Sequence, residues 1–492
     1  MIKQLRMFLL VTASIIGCNP MQYSFANDAN QFSRDAEILR SALFELYPSL
    51  DRYGQVEGVS SALERLDEIA ATTNEPMEFY RTIVDVAVAT RDEHVIPFPA
   101  ENYRKARREG KMMVPYAIQW VGGVPFIGAV ADPAFEKLVG REIVAFDSYS
   151  AAKVRDRLKA TIPSDGLSET FALRRLQDFT PTQNENYFDL NYPIWFGERD
   201  VYKLTVNGPG DKVETFELEA LDWATFSQFY RRRLPRKAPV EFRWVENDVA
   251  YLSVLSFHDW YFVEHSIDAE ERFAEIFGEI AKRPGTTLIL DLRRNEGGGD
   301  ISSLLLDFVM DQPFTEYDQI LTSFVGQPDA ARYCDNASEV IFDPTWSLPA
   351  SNGLFQLKPE FRHLITGATE RAPSASAFQG KIVVLISGAT GSAAVKVAAV
   401  LDRYQRATFI GEETGGAAAG ATAFGYCTLT LPNTGIRVDI PLIRFERDQN
   451  VEYGRGVLPD TEIDAGLVPP VSMGDAILAA AIKWINSSLG DE

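Results

Sequence analysis

Histidine is scarce in this chain of 492 residues: only His94, His258, His265 and His363 occur. Cysteine is scarcer, with Cys18, Cys334 and Cys427. There is no Cys-x-x-Cys pair and no Cys/His cluster, which removes the usual ligand spacing of a zinc site. Positive charge is also short, 48 Lys and Arg against 69 Asp and Glu, for a formal net charge of -21. Binding to nucleic acid needs basic patches that neutralise phosphates. The one dense basic run, Arg231-Arg232-Arg233 to Arg236-Lys237, spans a proline and reads as a solvated linker. Long apolar runs are missing as well. Met7 to Gly17 is mostly apolar but covers far fewer than the roughly 20 residues a bilayer span requires.

That short run, preceded by Lys3 and Arg6, has the form of an export signal. Two processing sites compete. Ser24-Phe25-Ala26 before Asn27 resembles an ordinary signal-peptidase site, giving a signal peptide over 1–26. Ile15-Ile16-Gly17-Cys18 resembles a relaxed lipobox, giving a lipoprotein signal to 17 and a lipid on Cys18. Both imply export, to the periplasm, the medium or, with the lipid, the outer membrane. In an oxidising compartment Cys334 and Cys427 can close one disulfide; two buried thiols are the alternative.

The length implies several domains. Residues 27–110 read as helical, with apolar residues at helical spacing over 27–47, 57–71 and 75–89. The last helix runs into Asp92-Glu93-His94, and Pro97 and Pro99 forbid its continuation. Residues 111–222 read as a small, mainly β module, and 223–239 as a linker. From 240 to 486 the pattern becomes α/β. Buried strands are expected at 287–292, 381–387 and 408–412, with helices at 301–310 and 392–404, the spacing of parallel crossovers. A hairpin is expected across Pro432-Asn433-Thr434-Gly435.

Ser392 follows a buried strand and the loop Gly388-Ala389-Thr390-Gly391, and it opens a helix. A serine there is either a plain N-cap or a nucleophile beside unpaired N–H groups at a positive helix end. Asn295-Glu296-Gly297-Gly298-Gly299 ends another parallel strand, at the edge where α/β sheets bind ligands. With the N–H of Ala393, one amide of Gly297 or Gly298 could form an oxyanion hole. A serine needs a general base. His94, flanked by Asp92 and Glu93 at a helix end, is the strongest candidate. Glu452, in the turn 452–460, is a carboxylate that could orient it.

In order along the chain, these elements resemble the C-terminal processing (tail-specific) and tricorn-type serine peptidases. Thr390-Gly391-Ser392-Ala393-Ala394 resembles the nucleophile motif of that family, and Thr390 and Gly391 would then border the substrate. Asp291-Leu292-Arg293-Arg294-Asn295-Glu296-Gly297-Gly298 resembles its strand-turn, Gly411-Glu412-Glu413-Thr414-Gly415 its Gly-Glu-x-Thr segment, and Gly456-Val457-Leu458-Pro459-Asp460 its ending. The processing enzymes carry a catalytic lysine about twenty-five residues after the serine; here that position is Ala417. The branch with a histidine after an N-terminal helix, tricorn-like and interphotoreceptor-retinoid-binding-like, fits Asp92-Glu93-His94 instead.

The resemblance implies a multidomain α/β protein. It would have a Clp-protease/crotonase-like α/β core, a PDZ-like β module and an N-terminal helical cap bearing His94. It implies a serine endopeptidase acting on peptides or unfolded proteins without metal or cofactor. A non-catalytic ligand- or peptide-binding protein of the same fold, or a serine esterase or amidase, is the competing expectation.

Overall fold

The computed structural model describes residues 31–177, 187–208, 210, 212–233, 237–246, 248–447, 451–463 and 475–488. The export signal and Cys18 lie outside the described residues.

Three helices open the fold, Gln31–Leu46, Val56–Thr72 and Pro76–Ala89. Each buries one apolar stripe, for example Leu39, Leu43 and Leu46, then Val59, Leu63 and Leu66, then Phe79, Ile83 and Val86. Pro76 sits in the first turn of its helix, where an N–H would be unpaired anyway. These stripes share one core with Cys427, Leu429, Val438 and Ile440 from near the other end of the chain. The helices are thus packed onto a long antiparallel hairpin, Gly420–Thr430 with Arg437–Glu446. Strand Ile96–Phe98 pairs with Arg437–Glu446 as well, which brings the segment after the third helix back to the C-terminal half.

A second body follows. Strands Tyr116–Val121 and Val124–Val130 form a hairpin, and Tyr149–Ser150, Ile143–Phe146, Val201–Asn207 and Val213–Glu219 form a sheet in that order. Helices Ala151–Lys159 and Tyr187–Phe196 close its core around Trp120, Phe146, Tyr192 and Tyr202. The expected linker 223–239 begins instead with a helix, Trp223–Arg233. Phe226 and Tyr230 of that helix bury against Met113. The arginine run dominates the composition there, but an apolar stripe at 223, 226 and 230 decides the structure.

The α/β core carries a six-stranded sheet in the order Val240–Glu246, Val249–Val254, Thr287–Asp291, Ile382–Ile386, Thr408–Gly411, Thr461–Glu462. The first pair is antiparallel and the rest are parallel. The central strands are buried at every residue, as parallel strands covered on both faces must be. Helices Ala269–Ile280, Ile301–Val309 and Ala393–Arg403 pack on one face and Ala476–Ser488 on the other. The polar insert expected over 312–379 is not structureless. It contributes Gln319–Thr322, Ser347–Pro349 and Phe355–Leu357 to the sheet that holds the long hairpin. A disulfide joins Cys334 of this insert to Cys427 of the hairpin. No described helix is long and apolar enough to cross a membrane.

Candidate active site

Ser392 stands between the strand Ile382–Ile386 and the helix Ala393–Arg403 with backbone angles φ 46° and ψ -117°. A non-glycine residue at positive φ is strained and survives only where the surroundings hold it. Several bonds do so. The Gly391 N–H donates to the Asn295 carbonyl (3.0 Å), and the Ala394 N–H donates to the Gly391 carbonyl (2.9 Å). The Ser392 N–H donates to Glu93 Oε1 (3.2 Å). Ser392 stays partly exposed while Gly391 and Ala394 on either side are buried. Its side chain makes no cap bond to its own helix, so the hydroxyl is left to other partners.

That partner is His94. Its Nε2 lies 3.2 Å from Ser392 Oγ, although 298 residues separate them. The histidine is held by its own short segment. Arg91, at φ 52°, turns the chain out of the third helix. Asp92 Oδ1 then accepts the backbone N–H of His94 at 2.8 Å. The other oxygen of Asp92 accepts from the Tyr47 hydroxyl (2.7 Å) and from the Thr422 hydroxyl. Asp92 Oδ1 is 3.5 Å from His94 Nδ1, an ion-pair distance rather than a formed hydrogen bond.

Three carboxylates therefore surround one imidazole: Asp92, Glu93 and Asp165. Asp165 comes from the second body and is buried. Its Oδ1 accepts the Glu93 N–H at 2.9 Å, and its Oδ2 faces the Ala417 N–H at 3.4 Å. Burial alone would lower the pKa of His94. The contact with Asp92 and the charges of Glu93, Asp92 and Asp165 overcome that and push it up to about 9. Burial would raise Asp92, but its bonds with His94, Thr422 and Tyr47 hold it below the usual carboxylate range. Asp165 is pushed up to about 7, by burial first and then by the charges of Glu93 and Asp92. Asp92, His94 and Asp165 are also the described residues whose ligand atoms cluster, within 4.8 Å of one another. All three are buried.

The loop opposite carries the glycine pair. Gly297 and Gly298 have φ of 109° and 138°, which glycine alone adopts without strain. A side chain on Gly297 would lie 2.8 Å from both the Ala393 nitrogen and Ser392 Cβ. One on Gly298 would lie 2.2 Å from the backbone of Phe257. The Gly297 N–H is spent on Asn295 Oδ1 (2.9 Å), which removes it as an oxyanion donor. The N–H groups of Gly298 and Ala393 have no acceptor among the described residues. Asn295 is fully buried and ties the two loops together, its Nδ2 donating to the Val254 carbonyl (3.0 Å).

Other expected site residues fall elsewhere. Glu452 is exposed, and its carboxylate lies 3.9 Å from Arg455 of the same turn. It does not reach His94; the carboxylates beside the imidazole are those of Asp92, Glu93 and Asp165. The Thr390 side chain is fully buried. Its hydroxyl donates to the Leu292 carbonyl and accepts from the Ser387 N–H (both 3.0 Å), so it braces the loop and does not border a substrate. Gly391 is buried beside it. His258 stands at the N-cap position of a short helix without a side-chain cap bond, its ring tilted against Trp260, His265 Nδ1 contacts the Tyr261 carbonyl, and His363 is exposed. Asp92 and Glu93 were visible as acidic neighbours of His94, but nothing along the chain marks Asp165.

The remaining motif segments serve as clasps around this centre. Glu412 pairs with Arg174 through two bonds. Glu413 accepts from Arg455 (2.8 and 2.7 Å) and from the Gly456 N–H (2.8 Å). Asp460 accepts the Phe409 N–H at 2.7 Å.

Residues 248–463 match the model of peptidase family S41. The match contains Ser392 and the glycine pair, while His94 and Asp165 lie outside it. The backbone is similar to that of mature CPAF, with a TM-score of 0.60, 16% identity, and coverage of 89% of this chain and 93% of that one. Mature CPAF complexed with lactacystin matches equally, at 0.60 and 16%, covering 89% and 94%. The photosystem II D1 C-terminal processing protease matches at a TM-score of 0.42 and 15% identity, covering 89% of this chain and 94% of that one. No curated protein matches the sequence.

Proposed function

We propose that this chain, a serine-type peptidase whose residues 248–463 form a peptidase family S41 domain, is an exported endopeptidase using Ser392 as nucleophile and His94 as general base. The 3.2 Å contact between His94 Nε2 and Ser392 Oγ carries this reading.

In the proposed reaction Ser392 Oγ attacks the scissile carbonyl and its proton passes to His94 Nε2. The oxygen that becomes negative accepts from the Gly298 and Ala393 N–H groups, near the positive end of the helix Ala393–Arg403. Collapse of the tetrahedral intermediate breaks the C–N bond, and the imidazolium returns its proton to the leaving amine. Water, deprotonated by His94, then attacks the acyl carbon; collapse of the second tetrahedral intermediate breaks the C–Oγ bond, and His94 returns the proton to Ser392 Oγ. Asp92 and Asp165 stabilise the imidazolium in both halves. Only the neutral imidazole can take the first proton, so the pKa of about 9 makes the resting centre alkaline-activated.

The second body is read as a PDZ-like module. Its strand Val213–Glu219 lies at the end of its sheet and could pair with an extended peptide or a chain terminus by strand addition. The core is read as Clp-protease/crotonase-like. Export is supported by the N-terminal pattern and by the Cys334–Cys427 disulfide, a bond of oxidising compartments.

The test is hydrolysis of casein and of a small chromogenic ester by wild type, Ser392→Ala and His94→Ala. The reading expects casein cleavage that both variants lose. Turnover of the ester alone would make the chain an esterase, and cleavage surviving in Ser392→Ala would remove the nucleophile.

A further inference from the structure

The carboxylates facing His94 do not all belong to its own segment. Asp165 lies between the helices Ala151–Lys159 and Thr170–Arg175 of the second body, and it is only 2% exposed. The residues beside it are fastened across the site. The Gly166 N–H donates to the Arg91 carbonyl (2.9 Å) and the Leu167 N–H to the Gly454 carbonyl (2.8 Å). Ser168 Oγ donates to the Thr414 carbonyl (3.3 Å) and Thr170 Oγ1 to the Glu413 carbonyl (3.1 Å). Arg174 reaches Glu412 (2.8 Å), and Arg175 reaches Glu296 beside the glycine pair (3.2 Å). Gly166 sits at φ 54° with the Gly454 backbone where a side chain would be, 2.4 Å away, so the crossing is in van der Waals contact. The segment 165–175 therefore touches the His94 turn, the 412–417 loop and the Glu296 loop.

We infer that Asp165 is a positioning residue for the peptidase reaction, carried into the centre by the second body to fix the His94 turn and to face the imidazolium that His94 becomes. This rests on the Ser392–His94 reading above. The geometry gives both parts. One carboxylate oxygen holds the backbone N–H of Glu93, next to the histidine, and the other points to Ala417 on the opposite wall. The charged and titratable groups around the centre are Asp92 and Glu93 on the His94 turn, Arg52 and Tyr53 from the first helix connection, and Tyr426 from the long hairpin. Arg175 joins them from the crossing segment. Asp165 adds a negative charge once ionised, and such a charge favours the protonated imidazole.

The experiment is the pH profile of kcat/KM for wild type, Asp165→Asn and Asp165→Glu, with thermal melting run alongside. Asp165→Asn keeps the shape and removes the charge. It is expected to move the acidic limb of the profile toward lower pH by about one unit and to lower the alkaline plateau about tenfold. Asp165→Glu, which keeps the charge, is expected to hold the limb at its wild-type position. If Asp165→Asn does not fold, Asp165→Ser is read in its place. A limb that stays put in the neutral variant, or moves equally in both variants, overturns the inference and leaves Asp165 a structural residue. Failure of the underlying reading looks different: His94→Ala would then keep its activity whatever Asp165 does, and this inference would fall with it.

Discussion

His94 sets the pH behaviour of the centre. Its pKa of about 9 lies above the ordinary value, so the folded protein binds this proton more tightly than the unfolded chain does. That contribution to stability is full below about pH 6.5 and is lost as pH rises through about 9. In the proposed mechanism activity runs the other way, because the neutral imidazole is the form that takes the serine proton. Between pH 7 and 9, kcat/KM should therefore rise while the contribution of His94 to the melting temperature falls. Steady-state kinetics and thermal scans in the same buffers check both directions. Gly297 makes a second residue-scale prediction. A methyl group there would press on Ser392 Cβ and the Ala393 nitrogen, so Gly297→Ala should lower kcat about a hundredfold or more. Single-turnover measurements with an activated ester would show the loss in acylation.

The helix that follows Ser392 is anchored from behind by a buried ion pair. Lys396 Nζ lies 2.6 Å from Glu316 Oε2 and donates to Ser303 Oγ at 2.8 Å, and Ser303 itself donates to Glu316. Removing one partner strands a buried charge, which typically costs about 3–5 kcal/mol. Lys396→Met should destabilise the protein by that order in urea unfolding, and the pair Lys396→Met/Glu316→Leu should recover much of the loss.

At this same scale the sequence was readable where periodicity was strong. The three N-terminal helices and the strands before the glycine loops announce themselves through stripes and buried runs. Strand Ile96–Phe98 does not, because Pro97 and Pro99 argue against a ladder; an edge position, where a missing N–H is tolerated, accommodates it. The helix Trp223–Arg233 was masked by its arginines. Local context leaves Ser392 either an N-cap or a nucleophile, and only the order of the motifs singles it out, whereas His94 is marked by its acidic neighbours at a helix end. Asp165 carries no such mark. It meets Glu93 across 72 residues, and nothing separates it from the other acidic residues of an acidic chain. Glu452 stands near the end of the motif order, but the carboxylate that bonds its turn is Glu413, which accepts from Arg455 and the Gly456 N–H.

Over the whole molecule, the centre is assembled from three bodies: the helical start brings His94, the second body Asp165, and the α/β core Ser392 with the glycine pair. What joins the first body to the C-terminal half is the apolar cluster it shares with the long hairpin, and the disulfide ties the insert to that hairpin. Cys334 and Cys427 are 93 residues apart, and a crosslink of that span restricts the unfolded chain by about 4–5 kcal/mol in the loop-entropy account. The double variant Cys334→Ser/Cys427→Ser should unfold at clearly lower denaturant, and reductant should shift wild type toward it but leave the variant unchanged.

The central claim is the Ser392–His94 pair, and a fluorophosphonate probe followed by peptide mapping reads it most directly. The account predicts one adduct, on Ser392, that forms faster from pH 7 to 9 and is absent in both Ser392→Ala and His94→Ala. An adduct on another residue, or labelling that persists undiminished in His94→Ala, would contradict it.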